Sequence, residues 1–156
     1  MSSANGKRPP GRRLSLFAID VEAEENGVEE RLPAPLDCFA FTLRSLHCDD
    51  VQDWIANETV RQTKLNRNAE LPGKVQASIF RRAIGEKLIV DWSGLLDDAR
   101  KPIPFSRELA RELMSERKWR HIAEALSSIV LERARLRVDE ESSEGKASES
   151  SSVIAS

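Results

Sequence analysis

The sequence has few of the residues on which secretion, membrane insertion and most catalysis depend. Its 156 residues include no tyrosine, two cysteines and two histidines. Two cysteines cannot form the several disulfides of a small secreted scaffold, and no run of about 18 apolar residues is present to span a bilayer. The apolar stretch that follows the basic start, Leu14 to Ile19, is too short for a signal-peptide core. We therefore expect a soluble, intracellular protein with reduced thiols.

Side chains able to carry chemistry are scattered rather than grouped. The cysteines and histidines lack the paired Cys-x2-4-Cys spacing of a structural zinc site; they are Cys38, His47, Cys48 and His121. Solvation at predicted caps, loops or tails explains the adjacent carboxylates, which are Asp49-Asp50, Asp97-Asp98 and Glu140-Glu141. Neither GxxxxGK[ST] nor GxGxxG is present to hold a phosphate. We predict no catalytic residue, no metal and no cofactor, and hence no enzymatic activity.

The formal net charge of −2 hides four segments of alternating sign. Residues 1–13 carry +4, residues 14–35 carry −5, residues 36–138 carry +3 and residues 139–156 carry −4. The last segment is rich in serine and has too few large apolar side chains to offset about 1–2 kcal/mol of backbone ordering per residue. We predict a disordered basic arm over 1–13, a single mostly helical domain over 14–138 and a disordered Ser/Glu-rich tail over 139–156.

The first part of the domain has the pattern of a β-hairpin. Phe39, Phe41 and Leu43 alternate with smaller or polar residues, and a period of two puts them on one face of a strand. The pattern predicts strands at Val28–Leu32 and Cys38–Arg44, joined by a proline-containing turn. Leu14 to Ile19 is short and apolar, which is typical of a strand or of an ordered segment that leads into one.

The rest of the domain has helical periodicity in four places. The helices are predicted from near Val51 to Leu65, from Val75 to about Val90, from Ser106 onward and over 117–137. Asp49 or Asp50 is expected to cap the first of these helices, and Ser106 the third. Residues 91–105 contain one glycine and two prolines and are predicted to be an ordered loop. The fold class is therefore α+β, mostly α, with a short N-terminal β-hairpin followed by about four helices and disordered termini.

The predicted loop and its flanks carry a resemblance to a known family. The chain reads Leu88-Ile89-Val90-Asp91-Trp92-Ser93-Gly94-Leu95, then Asp97-Asp98, then Lys101-Pro102-Ile103-Pro104-Phe105-Ser106 and a helix. This order resembles the tail assembly chaperones and related small tail-module proteins of long-tailed bacteriophages. Asn26-Gly27-Val28 and Phe41-Thr42-Leu43-Arg44-Ser45 resemble the hairpin of the same family. The resemblance covers roughly residues 26–136. Ala99-Arg100 departs from it, since glycine is expected before Lys101.

The resemblance implies a non-enzymatic, mostly helical protein of the host cell cytoplasm. Such chaperones associate with the tape measure protein, and in many phages with tail tube subunits, and keep aggregation-prone helices soluble until the tube polymerises. They are typically absent from the finished particle, and the family often makes a longer product by ribosomal frameshifting. We expect the partner-binding residues in the loop, where internal packing is the alternative role of its large side chains; they are Trp92, Gly94, Pro102, Pro104 and Phe105.

Two other functions fit parts of the sequence. A permanent particle component, such as a connector or minor tail protein, would share the family's features. Nucleic-acid binding is less favoured, because glutamates alternate with the basic residues of the last helices and no aromatic platform for bases is evident. Those basic residues are Arg107, Arg111, Arg117, Lys118, Arg120, Arg133, Arg135 and Arg137. No membrane partner is expected.

Overall fold

The computed structural model describes residues 10–135. One compact unit extends over Val21–Arg135, and residues 10–20 belong to a second unit that is described by itself. In residues 10–20, Leu14–Phe17 form a 3-10 turn in which the Leu16 amide donates to the Arg13 carbonyl at 3.1 Å. Of the two alternatives for this stretch, a strand or an ordered segment leading into one, the strand is therefore wrong. The ends predicted to be disordered, 1–13 and 139–156, lie outside the described residues apart from 10–13.

Three antiparallel strands form the sheet of the larger unit. They are β1 (Val28–Arg31), β2 (Ala40–Leu43) and β3 (Ile89–Ser93), in the spatial order β1-β2-β3. The predicted hairpin is confirmed, since β1 pairs with β2 with Val28 opposite Leu43. The fold class is confirmed as well, because helices make up most of the described chain around this small sheet.

The third strand is a correction to the predicted helix and loop. We predicted a helix from Val75 to about Val90 and a loop from residue 91, but helix α3 ends at Ala83 and a π-helical turn, Ile84–Leu88, leads directly into β3. The Arg107 guanidinium donates to the main-chain carbonyls of Gly85 and Ile89 at 2.8 and 2.6 Å. These two contacts satisfy carbonyl groups where the change of helix type and the helix end leave them without regular helical partners.

Five α-helices lie in the described part of the larger unit. They are α1 (Val21–Asn26), α2 (Asp49–Leu65), α3 (Gly73–Ala83), α4 (Arg107–Ser115) and α5 (residues 120–135), and a 3-10 turn at Arg117–Trp119 precedes α5. The Ser106 cap is confirmed, because its hydroxyl accepts the Leu109 amide at 3.1 Å. The predicted Asp49 or Asp50 cap is wrong. Cys48 holds the cap position, and both carboxylates lie in the first turn, where they favour the positive helix end.

The core lies between the sheet and the helices. Phe41 and Leu43 of β2 are fully buried among apolar side chains of α4, α5 and the π-helical turn. Gly85 lets that turn approach α4 closely, since a Cβ there would lie 3.0 Å from the Ala110 carbonyl oxygen and 3.2 Å from the Arg111 Cα. A side chain at this position would therefore push α4 away from the π-helical turn.

A buried carboxylate joins α2 to α3. Glu58 accepts hydrogen bonds from Arg61 and Gln62 on its own helix and from Arg82 on α3, at 3.0, 3.1 and 2.9 Å. The Arg82 guanidinium also lies over the Trp54 ring at 5.5 Å from its centroid. The hydrogen bonds, that from Arg61 first, lower the pKa of Glu58 to about 2.

Acid should weaken the protein through this carboxylate. Glu58 is a stronger acid in the folded protein than in the unfolded chain, so its stabilisation is complete above about pH 5 and is lost as the pH falls toward 2. We expect Glu58→Gln to lower the free energy of unfolding at neutral pH by about 1–2 kcal/mol, a value reduced because solvent screens the exposed Arg61.

Urea unfolding as a function of pH measures this effect. Between pH 5 and pH 2 the stability of Glu58→Gln should fall less than that of the wild type. Glu132→Gln is the matched control, because it removes an exposed carboxylate from α5 and should keep the full acid-induced loss. Equal losses in the wild type and in Glu58→Gln would contradict this role of Glu58.

Candidate partner-binding site

The indole of Trp92 anchors the predicted loop from inside the protein. Trp92 is 8% exposed and packs edge-to-face on Phe105 and Phe41, with ring centroids 4.9 and 6.0 Å apart. Its Nε1–H donates to the Ile103 carbonyl at 2.9 Å. The ring thus holds the end of β3 against the far side of the loop, and its hydrogen bond satisfies the polar edge of a buried indole.

Gly94 makes the tight turn that follows the tryptophan. Its φ is +87°, and a Cβ there would lie 2.0 Å from the Cys38 carbonyl oxygen. Only glycine fits both the left-handed backbone and the close approach to the main chain before β2. This position therefore contributes the shape of the loop.

Beyond the turn, the loop reverses direction and its two sides pair with each other. Leu96 and Pro102 form an isolated antiparallel bridge, and the Asp97 side chain accepts the Ala99 and Lys101 amides at 2.8 and 2.9 Å. Arg100 has a φ of +62°. The resemblance expects glycine at or beside this position, and a left-handed backbone is the conformation that favours it.

Trp92 lies near the end of β3 and the other four predicted residues lie in the loop that follows it, and the five face different environments. Trp92 is buried and Phe105 half-buried, with the Arg107 guanidinium 5.1 Å from the Phe105 ring centroid. Pro102 and Pro104 are exposed. The available apolar area is thus the loop surface, which we define as Leu96, Pro102 and Pro104.

Leu96 is the member of the loop surface that we did not predict from the sequence. It is 53% exposed, whereas its neighbour Leu95 is buried in the core. The sequence did contain a signal for an exposed leucine here. Leu95 and Leu96 are adjacent, and an extended chain can turn only one of two neighbouring side chains toward the core.

The cysteine and histidine side chains, which we predicted not to form a metal site, differ in their exposure. Cys38, His47 and His121 are exposed and Cys48 is buried. Within residues 10–135, the group of three possible ligands that lies close together is Glu25, Cys48 and Asp50.

An arginine already occupies the centre of that group. The Arg44 guanidinium donates to the carboxylates of Glu25 and Asp50 at 3.1 and 2.7 Å and to the Lys87 carbonyl at 3.2 Å. The hydrogen bond from Arg44 lowers the pKa of Asp50, while burial raises the pKa of the Cys48 thiol. A cationic arginine beside a protonated thiol fits an ion-paired clamp between α1 and α2 rather than a cation site.

A second feature is an open groove between α2 and α3, which sequence reasoning missed. We call it the α2–α3 groove. It has a volume of about 440 Å³, and its apolar lining residues are Ile55, Ala69, Leu71, Ile79 and Phe80. Its polar lining residues are Thr59, Thr63, Asn68, Glu70 and Gln76. The groove exists because residues 67 and 68, both at positive φ, turn the chain sharply after α2 and carry it back toward α3. The apolar residues had the spacing of ordinary core residues, so nothing in the sequence marked them as a surface.

Most of the basic residues considered for nucleic-acid binding have structural partners. Arg107 donates to main-chain carbonyls, and Arg133 bonds the Leu43 carbonyl at 3.1 Å and pairs with Glu30. Three others form ion pairs with glutamates: Arg111 with Glu86, Lys118 with Glu116, and Arg120 with Glu124. Arg107, Arg111 and Arg133 thus join separate elements of the fold, whereas Lys118 and Arg120 pair with glutamates close to them in sequence.

The chain is thus a small, mostly helical α+β protein with an exposed apolar loop surface. It belongs to the YdaY prophage protein family, whose model matches residues 48–149, about two thirds of the chain. No curated protein and no solved structure matches it. The matched region includes α2, the loop and α5, so both candidate surfaces lie within the part that defines the family. None of the helices in the described residues is long and apolar enough to cross a membrane.

Proposed function

We propose that this prophage protein is a non-enzymatic tail assembly chaperone. It acts in the host cell cytoplasm, binds the tape measure protein, and uses neither metal nor cofactor. Membership of a prophage family supports a role in phage biology. The finer assignment rests on the resemblance of the hairpin and the loop to tail assembly chaperones.

One observation carries this proposal. The two stretches that resemble the chaperone family are far apart in the sequence but are neighbouring strands, with Phe41 of β2 directly opposite Trp92 of β3. Their aromatic rings touch, and Phe105 completes the cluster. Two separate parts of the resemblance thus form a single packed feature, which is the arrangement expected if they belong to one structural unit.

The loop surface is the part of this feature that a partner can reach. Trp92 and Phe105 pack inward and Gly94 shapes the turn, so these residues position the loop. Leu96, Pro102 and Pro104 would contact an apolar face of a tape measure helix, the kind of segment that aggregates without cover. The Leu96–Pro102 bridge and the hydrogen bonds to the Asp97 side chain already order the loop, so it would lose little conformational entropy on binding.

Capture of the co-expressed tape measure protein of the same prophage tests the proposal. We expect the tagged wild type to retain the tape measure protein, and Leu96→Glu to retain about tenfold less, because burying a leucine contributes roughly 1.5–3 kcal/mol. The matched control is Leu131→Glu, since Leu131 is 54% exposed on α5 and Leu96 53%. Equal capture by Leu96→Glu and the wild type would contradict the assigned surface, and no capture by the wild type would contradict the function.

Mass spectrometry of purified particles separates the chaperone from a permanent tail component. A chaperone should be absent or present only in traces, whereas a connector or minor tail protein should give peptides in a fixed ratio to the tube subunit. A stoichiometric signal would therefore favour the structural alternative.

A further inference from the structure

The N-terminal apolar segment, Leu14–Val21, presents its large side chains to solvent. Its exposed members are between 47% and 88% exposed; they are Leu14, Leu16, Phe17, Ile19 and Val21. Scattered exposed apolar residues are ordinary, but five within eight consecutive positions are a concentration typical of an interaction site.

This segment has the spacing of a helix that docks by one face. Leu14, Phe17, Ala18 and Val21 stand at i, i+3, i+4 and i+7, the set of anchors with which an amphipathic helix enters a groove. Leu14–Phe17 already form a helical turn and α1 begins at Val21. Ala18 between them is extended, so docking would convert residues 18–20 to helix, and none of these three residues is a glycine or proline that would oppose the change.

The α2–α3 groove has the chemistry to receive such a helix. Its apolar lining includes Ile55, Leu71 and Phe80, while threonine and amide side chains border it. The surrounding residues 59–76 carry four basic side chains and one acidic one, a net charge of +3. All four basic residues are exposed; Arg61 is paired with Glu58, and the other three are Lys64, Arg67 and Lys74.

The opposite charges of the two regions indicate that the N-terminal apolar segment is the occupant of the α2–α3 groove. The N-terminal apolar segment continues directly into an acidic stretch, so that residues 14–35 carry a net charge of −5. An apolar helix face followed by acidic residues complements an apolar groove within a basic stretch, and such complementarity favours this pairing over contact with a neutral or basic helix.

From this match we propose that the protein self-associates: the N-terminal apolar segment of one copy docks as a helix in the α2–α3 groove of a second copy. One such contact is small compared with the roughly 1,200–2,000 Å² that stable interfaces bury, so association is reversible and concentration-dependent. When each of two copies docks its segment in the groove of the other, the dimer contains two such contacts. This inference does not depend on the chaperone function, because the groove and the loop surface are separate sets of residues.

Sedimentation velocity of the full chain over a wide concentration range tests the proposal. We expect the mass-average of the wild type to rise above the monomer value with concentration. Phe17→Asp removes a central anchor and should weaken association by about 10- to 100-fold. Thr59→Glu should weaken it similarly, because it puts a larger, acidic side chain in the groove lining, where it repels the acidic stretch of the docking segment. Thr59 is exposed, and its hydroxyl donates to the Ile55 carbonyl of its own helix. Leu131→Asp, on the exposed face of α5, should leave association unchanged.

Mixing the two weakened variants gives the sharpest result. Phe17→Asp keeps an intact groove and Thr59→Glu keeps an intact segment, so the mixture should associate more strongly than either variant alone. The proposal is overturned by a wild type that stays monomeric, including one that docks its segment within its own chain. It is also overturned by a mixture that associates no better than its components, or by Leu131→Asp weakening association as much as Phe17→Asp. Thermal unfolding of each variant confirms that the compared proteins are folded.

Discussion

Replacing Gly94 by alanine should destabilise the protein by about 2–5 kcal/mol. The left-handed backbone of this turn costs a residue with a Cβ roughly 1–2 kcal/mol, and overpacking adds about 1–3 kcal/mol. The added methyl would stand 2.0 Å from the Cys38 carbonyl oxygen, which belongs to the main chain and cannot rotate away. The chain before β2 or the whole turn must move, and both are tied to the aromatic cluster. Urea unfolding at neutral pH measures the change.

Gly73→Ala is the matched control for this substitution. Gly73 opens α3 and has no atom within 4 Å of its Cβ position. Alanine favours helix over glycine by up to about 1 kcal/mol, so the control should be neutral or slightly more stable. If both variants unfold at the same urea concentration, the turn does not require glycine and the account of the loop is wrong.

Replacing Trp92 by alanine should cost about 3–5 kcal/mol. The substitution leaves a cavity between Phe41 and Phe105 and removes the hydrogen bond to Ile103. Trp92→Phe keeps an aromatic ring but leaves the Ile103 carbonyl without its donor, and we expect a loss of about 1–3 kcal/mol. The difference between the stability losses of Trp92→Ala and Trp92→Phe therefore separates the contribution of ring packing from that of the hydrogen bond.

Trp119→Ala provides the comparison for the tryptophan series. Trp119 is half-buried at the start of α5, and its Nε1–H donates to Glu112 at 3.3 Å. With less area to lose, this variant should cost about 1–2 kcal/mol. If Trp92→Ala is no more damaging than Trp119→Ala in urea unfolding, Trp92 is not the anchor of the loop.

The local signals in the sequence predicted the hairpin and the Ser106 cap. The alternation of Phe39, Phe41 and Leu43 indicates a strand with one buried face. A serine before an amphipathic stretch is a strong signal for the start of a helix. Both features depend on interactions within a few residues, or between strands joined by a short turn.

The third strand depends on distant contacts, which is why the sequence did not predict it. Ile89 and Val90 continue the apolar spacing of α3, so their pattern fits a helix as well as a strand. Pairing with β2, the close approach of Gly85 to α4 and the two carbonyls held by Arg107 decide the outcome. The last two come from residues more than fifteen positions away in sequence.

The sequence marked the loop as the candidate site, and that assignment stays a prediction; it did not indicate which side chains of the loop are exposed. Grouping of the loop residues followed from the resemblance, whereas the inward packing of Trp92 and the exposure of Leu96 required the fold. The α2–α3 groove could not be predicted, because its apolar residues have the same spacing as residues that are fully covered. Which face of a helix stays open depends on the chain length between α2 and α3 and on the turn at residues 67–68.

The most direct test of the chaperone function is the soluble fraction of the tape measure protein, produced at equal levels with and without this chain. The account predicts that the wild type moves most of the tape measure protein from the pellet to the supernatant. It also predicts that Leu96→Glu fails to do so and that Leu131→Glu succeeds. Equal solubility of the tape measure protein in the presence and absence of the wild type would contradict the chaperone function.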